Sequence, residues 1–358
     1  MQEGVPPRTC YTERAGRWVG EPSWPAPGIE MRRLHLNAGG LGPVAEAPAD
    51  RPICSPLWVG NGAGEVGRYG NEADWAGDQR EDDGGSLVFL SEPLTERLEI
   101  LGAPLVHLRF ASDKPEALVS ARLNDVWPDG RSTRVGIGLL NLTHRDSHEH
   151  PRALVPGKMT DATVEMEDTA YAFEAGHRIA VSLSTTYWPI AWPSPELATL
   201  TIRTGESALT LPVRAPRPED ATLRPFDPPE AAPATPMTYT VPDSRPPRRV
   251  TRDLLSGRIT VDFPRWTSVT EMPDIGHIHR AEGLSRYEIT EGEPLSATTI
   301  TRFKVGIERA DGLFEHESHG RLTCDASHFR VKVSLTAREN GVVIFERHWD
   351  ERIPRDHV

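Results

Sequence analysis

Apolar residues recur at every second position through most of this chain, and that spacing limits the folds open to it more than any other feature. Val106, Leu108 and Phe110 alternate with His107 and Arg109, and Val119, Ala121 and Leu123 with Ser120, Arg122 and Asn124. Ile179, Val181 and Leu183 alternate with Arg178, Ala180 and Ser182, and Ala198, Leu200 and Ile202 with Thr199 and Thr201. A period of two puts one row of side chains on a core and the other toward water or a neighbour. Pro128-Asp129-Gly130 supplies turn chemistry after one of these runs, a preset φ followed by a glycine that tolerates positive φ. Many short strands punctuated in this way predict a sandwich or jelly roll.

The pattern breaks once. Between residues 212 and 247, 11 of 36 positions are proline and alternation disappears, which predicts a stiff linker or surface strap. Alternation then resumes. Phe303, Val305 and Ile307 face one way, Phe329, Val331, Val333, Leu335 and Ala337 form a longer run, and Asn340-Gly341 separates that run from the next. Asn-Gly between alternating runs predicts a tight hairpin, so residues 248–358 are expected to form a second antiparallel β domain. Residues 1–85 are rich in Gly, Pro and Trp with little periodicity, and 60–85 is expected to be irregular.

Composition narrows the function classes. A formal charge of −12 argues against nucleic acid and anionic membrane surfaces as partners, and no run approaches the length of a membrane span. The first residues lack the apolar core of a signal peptide, and three widely spaced cysteines make no disulfide framework. A cytoplasmic location is expected.

Candidate chemistry is sparse. Gly62-Ala63-Gly64-Glu65-Val66-Gly67 has the spacing of a phosphate loop, but Arg68-Tyr69-Gly70-Asn71 after it is no helix start, so a glycine-rich loop is expected. His144, His148 and His150 lie beside Asp146 and Glu149 and are weak metal candidates in what reads as a solvated connection. Ser86, Ser132, Ser207 and Ser285 follow a glycine by two positions, yet none has a glycine two positions later. With no strand–helix alternation either, no nucleophile elbow and no catalytic triad are expected. Tyr187, Trp188 and Trp192 cluster just after a strand, where aromatics either pack internally or wall a ligand pocket. Trp18, Trp24, Trp58 and Trp75 are expected to pack.

Four blocks in order carry a family resemblance: GDQREDDGGSLVFLSEPLTERLEILG at 77–102, ARLNDVWPDGR at 121–131, Val155-Pro156-Gly157, and the stretch from Phe173 to Leu183 containing GHRIAVSLS. Together they resemble the C-terminal, non-catalytic region of the cocaine esterase and X-prolyl dipeptidyl-peptidase family of serine hydrolases. The resemblance implies a galactose-binding-like jelly-roll sandwich; no motif of the family is recognised after residue 247, where the alternation itself predicts a second antiparallel β domain, so an all-β chain is expected. Resemblance and patterning together predict a lead-in segment at 1–85 packing on the sandwich, a jelly-roll core at 86–211, a Pro-rich linker at 212–247 and a C-terminal β domain at 248–358. In that family an α/β-hydrolase domain upstream carries serine, aspartate and histidine, and none of those motif positions exists here. The implied partner is therefore a catalytic α/β-hydrolase domain, absent from this chain or supplied separately, with homo-oligomerisation as a further possibility. No cofactor and no catalytic residue are expected, and Tyr187, Trp188 and Trp192 are the residues expected to wall the partner's active site. The alternative is a free-standing jelly-roll module that binds carbohydrate or another small ligand.

Overall fold

The computed structural model describes residues 18–64, 75–222, 227–241 and 248–358. The chain divides into two compact units, residues 1–225 with 357–358, and residues 226–356. Both are built of antiparallel β-structure.

The first unit is a two-layer sandwich. Its larger sheet has nine strands: β1 (Ile29–Asn37), β2 (Gly40–Gly42), β3 (Ala49–Ile53), β5 (Leu98–Gly102), β6 (Leu105–Ser112), β9 (Thr160–Glu165), β10 (Thr169–Phe173), β12 (Leu200–Thr204) and β13 (Ala208–Arg214). Its smaller sheet runs in the order β4 (Leu87–Leu90), β11 (Arg178–Ser184), β7 (Leu118–Val126), β8 (Ser132–Asn141). The alternating residues meet between the layers. Ile100, Val106, Leu108, Phe110, Leu200, Ile202, Leu209 and Leu211 from the larger sheet share one buried cluster with Leu87, Phe89, Val119, Ala121, Leu123, Ile179, Val181 and Leu183 from the smaller. Each of these Val, Leu, Ile and Phe side chains contributes about 1.5–3 kcal/mol by leaving water, which makes this layer the principal stabilising element of the unit.

The outer rows of the two sheets differ. On β6, Arg109 is partly exposed and pairs with Asp161 at 2.7 Å. On the smaller sheet, Ser120, Arg122, Asn124, Ser182 and Ser184 are buried although they occupy the polar positions of the alternation. Their cover comes from the stretch before β4, which contains the single helical turn α1 (Arg80–Asp83). The described residues between 18 and 85 thus hold more regular structure than their weak periodicity predicts. β1 runs antiparallel to β13 with Ile29 opposite Arg214 and His35 opposite Ala208, and β3 pairs with β12. β1 is buried only at its end, no residue of β3 is fully buried and Pro52 lies within β3, so the sequence carries little alternation there.

The second unit is one eight-stranded sheet. β14 (Thr238–Val241) and β15 (Arg249–Arg252) both pair with β16 (Arg258–Met272), and the order continues β17 (His277–Thr290), β18 (Glu293–Arg309), β19 (Gly312–Cys324), β20 (His328–Glu339), β21 (Val342–Pro354). The Asn340-Gly341 turn forms the β20–β21 hairpin, with φ values of 50° and 80°, the left-handed pair that a two-residue hairpin needs. Few apolar side chains here are fully buried; Ile259, Val261, Ile289 and Ala297 are.

Candidate functional site

The aromatic loop after β11 and the cover over the smaller sheet form one assembly. Trp188 donates its backbone N–H to the Val59 carbonyl at 2.9 Å, and Thr186 Oγ1 donates to the Pro56 carbonyl at 2.8 Å. Ser55 and Thr185 exchange hydrogen bonds at 2.9 and 3.1 Å. The two backbones lie so close that a Cβ on Gly60 would stand 2.6 Å from the Trp188 carbonyl oxygen, and Gly60 has φ of +107°. Only glycine satisfies both conditions.

Tyr187 and Trp188 are each 1% exposed. Tyr187 packs with Val59 and Ala63, and its hydroxyl accepts a hydrogen bond from Arg134 Nη1 at 3.0 Å. Burial pushes the Tyr187 hydroxyl pKa up, so it stays protonated. Trp192 is half-buried and meets the Trp188 ring edge-on at 5.4 Å between centroids. Ile190, at the turn between the two tryptophans, is 36% exposed. Of the three predicted wall residues, the structure therefore uses Tyr187 and Trp188 as internal anchors and leaves the 190–192 portion at the surface. Trp58 also packs in this cluster, while Trp18, Trp24 and Trp75 stand more than half exposed.

Beneath the loop lies a buried polar network that the sequence analysis did not single out. Arg122 on β7 is fully buried and donates from Nη1 to Gln79 Oε1 and from Nη2 to Ser86 Oγ, both at 2.9 Å. Its Nη2 also lies 3.0 Å from Asp83 Oδ1, and Nη1 lies 4.0 Å from Asp82 Oδ2. Asp83 in turn accepts from Ser132 Oγ at 2.9 Å and Asn124 Nδ2 at 3.2 Å. Asp82 accepts the Gly60 N–H at 3.2 Å, and its burial raises the carboxyl pKa against the opposing pull of Arg122. The network ties α1, the Gly60 loop and the smaller sheet together. A second buried pair involves β7, where His177 Nδ1 lies 2.9 Å from Asp125 Oδ1 and the ring meets Trp127 at a tilt of 41° with centroids 4.9 Å apart. Tyr171 donates its hydroxyl to Asp125 Oδ2 at 2.9 Å. The blocks ARLNDVWPDGR and GHRIAVSLS thus supply Arg122, Asn124, Asp125, Trp127 and His177, the polar joints of the sandwich.

The other candidates stay apart. His144 and His148 rings are 5.5 Å apart, His150 is largely exposed, and no three His, Cys, Asp or Glu side chains among the described residues converge as metal ligands. The hydrogen bonds made by Ser86, Ser132 and Ser207 go to carbonyls and carboxylates rather than to a histidine base. The Gly62–Gly67 run lies partly outside the described residues. No helix among the described residues is long and apolar enough to cross a membrane.

The sandwich is covered over its smaller sheet by the stretch before β4, and its distinctive buried polar residues serve as joints between these elements. The chain belongs to the X-Pro dipeptidyl-peptidase C-terminal non-catalytic domain family, whose model matches residues 3–231. Cocaine esterase from Rhodococcus sp. (strain MB1 Bresler) is 24% identical over 200 residues, a match that covers 52% of this chain and 35% of that enzyme. An aminopeptidase from a marine sediment Thaumarchaeota archaeon is similar over 55% of this chain and 38% of its own, with 22% identity and a TM-score of 0.48. An α-amino acid ester hydrolase is similar over 51% of this chain and 36% of its own, with 25% identity and a TM-score of 0.46. The chain spans about a third of the length of the curated relative named above.

Proposed function

We propose that this chain is the accessory part of an X-prolyl dipeptidyl-peptidase or esterase-like serine hydrolase, packing on an α/β-hydrolase domain and helping to wall its active site. The observation that carries the reading is the construction of the 187–192 loop. Two aromatic anchors, each 1% exposed, and a glycine-only contact hold it rigidly, while Ile190 and Trp192 remain at the surface. A loop held at its base and apolar at its tip suits a fixed pocket wall better than a ligand-adaptive one. The stretch before β4 that covers the smaller sheet and the network beneath belong to the same support.

The first test is direct. The purified chain is incubated with a fluorophosphonate probe, p-nitrophenyl acetate and an Ala-Pro nitroanilide; no labelling and no turnover are expected, and a labelled serine would overturn the reading. The second test adds a family α/β-hydrolase domain as a separate polypeptide. Trp192→Ala should raise KM or weaken the association at unchanged melting temperature. Unchanged KM, association and stability would remove the loop from the active-site wall.

A further inference from the structure

The last strand of the second unit carries a sequence that is its own complement. β21 pairs with β20 on one side and, among the described residues, ends the sheet on the other. Residues 345–353 pair regularly with β20, from Phe345 opposite Ala337 to Ile353 opposite Phe329, and a bulge at Ile344 and Pro354 bound this stretch. Within it are no proline, no lysine and no bulge, three of the devices that blunt a sheet edge, and its five charged residues are of both signs. The opposite edge is made of β14 and β15, only four residues each. β21 instead offers nine regular, mostly exposed residues.

Reading Phe-Glu-Arg-His-Trp-Asp-Glu-Arg-Ile against its own reverse sets each Glu against an Arg, His against Asp and apolar against apolar, with the central Trp meeting itself. A twofold axis at Trp349 sets Glu346 against Arg352, Arg347 against Glu351, His348 against Asp350, and Phe345 against Ile353. Each pair has matching parity, so both members fall on one face of the joined sheet. Moving the axis one residue toward the N-terminus puts Glu346 against Asp350 and Phe345 against Glu351, which penalises that register. The charged groups are already held along the strand by their own chain. Asp350 takes Arg330 at 2.8 and 2.7 Å, Arg352 reaches Asp325 at 3.0 Å, and Arg347 lies over the Trp349 ring at 4.9 Å.

We propose that β21 is a homodimerisation edge, pairing antiparallel with β21 of a second copy about a twofold axis at Trp349 to make one continuous sheet. The occupant is a copy of this chain because its charge order is the complement that the edge requires. Nine facing residues allow on the order of eight to ten backbone hydrogen bonds between copies. The interface is small, so assembly belongs to the micromolar range rather than the nanomolar. The inference concerns the second unit alone and does not depend on the catalytic partner.

Sedimentation equilibrium and light scattering of the full chain, over about 1–100 µM, decide it. The expected result is a shift from 39.6 kDa toward about twice that mass. Arg347→Glu sets like charges against each other twice and should raise the dissociation constant about tenfold or more. The combined variant Arg347→Glu with Glu351→Arg keeps the native composition, restores both pairs and should restore assembly. In a background with Cys10, Cys54 and Cys324 changed to Ser, Trp349→Cys should form an intermolecular disulfide, since directly opposed residues lie about 4.5–5.5 Å apart at Cα. A chain that stays monomeric overturns the proposal. So does a dimer indifferent to Arg347→Glu, a charge swap that fails to rescue, or association without the Trp349→Cys cross-link.

Discussion

Replacing Arg122 with Met probes the joint on which the first unit depends. The guanidinium and the Asp82 side chain are fully buried, and Asp83 is nearly so at 15% exposure. Methionine fills similar volume but leaves two carboxylates, Gln79 Oε1 and Ser86 Oγ facing it without the fork that served them. Removing one partner of a buried ion pair costs about 3–5 kcal/mol, because the remaining charge keeps its desolvation penalty and loses its attraction. At about 2–4 °C per kcal/mol for a unit of this size, the melting temperature should fall by roughly 6–20 °C. Hydrogen exchange should rise in residues 75–86, whose attachment runs through α1.

Adding Asp82→Asn neutralises one stranded carboxylate while keeping an oxygen for the Gly60 N–H. That double variant should recover at least about 1 kcal/mol, and the double-mutant cycle measures the coupling directly. Urea unfolding with circular dichroism detection, together with exchange mass spectrometry, supplies both readouts. An Arg122→Met loss below about 1 kcal/mol, with exchange at 75–86 unchanged, would refute the view that the cover is fastened through this network.

Two further predictions follow from single positions. Gly60→Ala should destabilise the first unit by at least about 1–3 kcal/mol and loosen the 187–192 loop in hydrogen exchange, since the new methyl meets the Trp188 carbonyl and the backbone sits at positive φ; a neutral effect would mean that the close approach is not rigid. Acid should act on the second unit through Asp350, whose carboxyl is lowered from 3.8 to about 2 by its hydrogen bonds to Arg330. A lowered folded-state pKa contributes stability in full above the unfolded value and loses it as the pH falls. Protection of the β20–β21 hairpin should therefore drop between about pH 4 and pH 2. Asp350→Asn should weaken the hairpin at pH 6 and converge with the parent near pH 2; a constant difference across that window would refute the assignment. Asp325 shifts in the same direction through the backbone N–H groups of Ser327 and His328. Asp82 shifts the opposite way because burial raises it, so its own protonation favours the folded state as the pH falls.

The sandwich was legible in the sequence because hydrophobic burial writes itself as a period of two. Val106, Leu108 and Phe110, or Ile179, Val181 and Leu183, need no context to be assigned to a core face. What alternation leaves open is the fate of the other row. On β6 the polar row meets water, whereas on β7 the same kind of row, Ser120, Arg122 and Asn124, meets the lead-in segment. Nothing in the strand itself distinguishes those outcomes. The distinguishing signal lies forty residues upstream, in Gln79-Arg80-Glu81-Asp82-Asp83, where acids cluster without a helix long enough to use them as caps. The aromatic loop shows the same limit, since burial and display are chemically equivalent for Tyr and Trp until a neighbour is placed. Gly60 decides it here: with no side chain at that position, the two backbones meet, Tyr187 and Trp188 turn inward, and the residues between Trp188 and Trp192 are left as the part of the loop that a partner can touch.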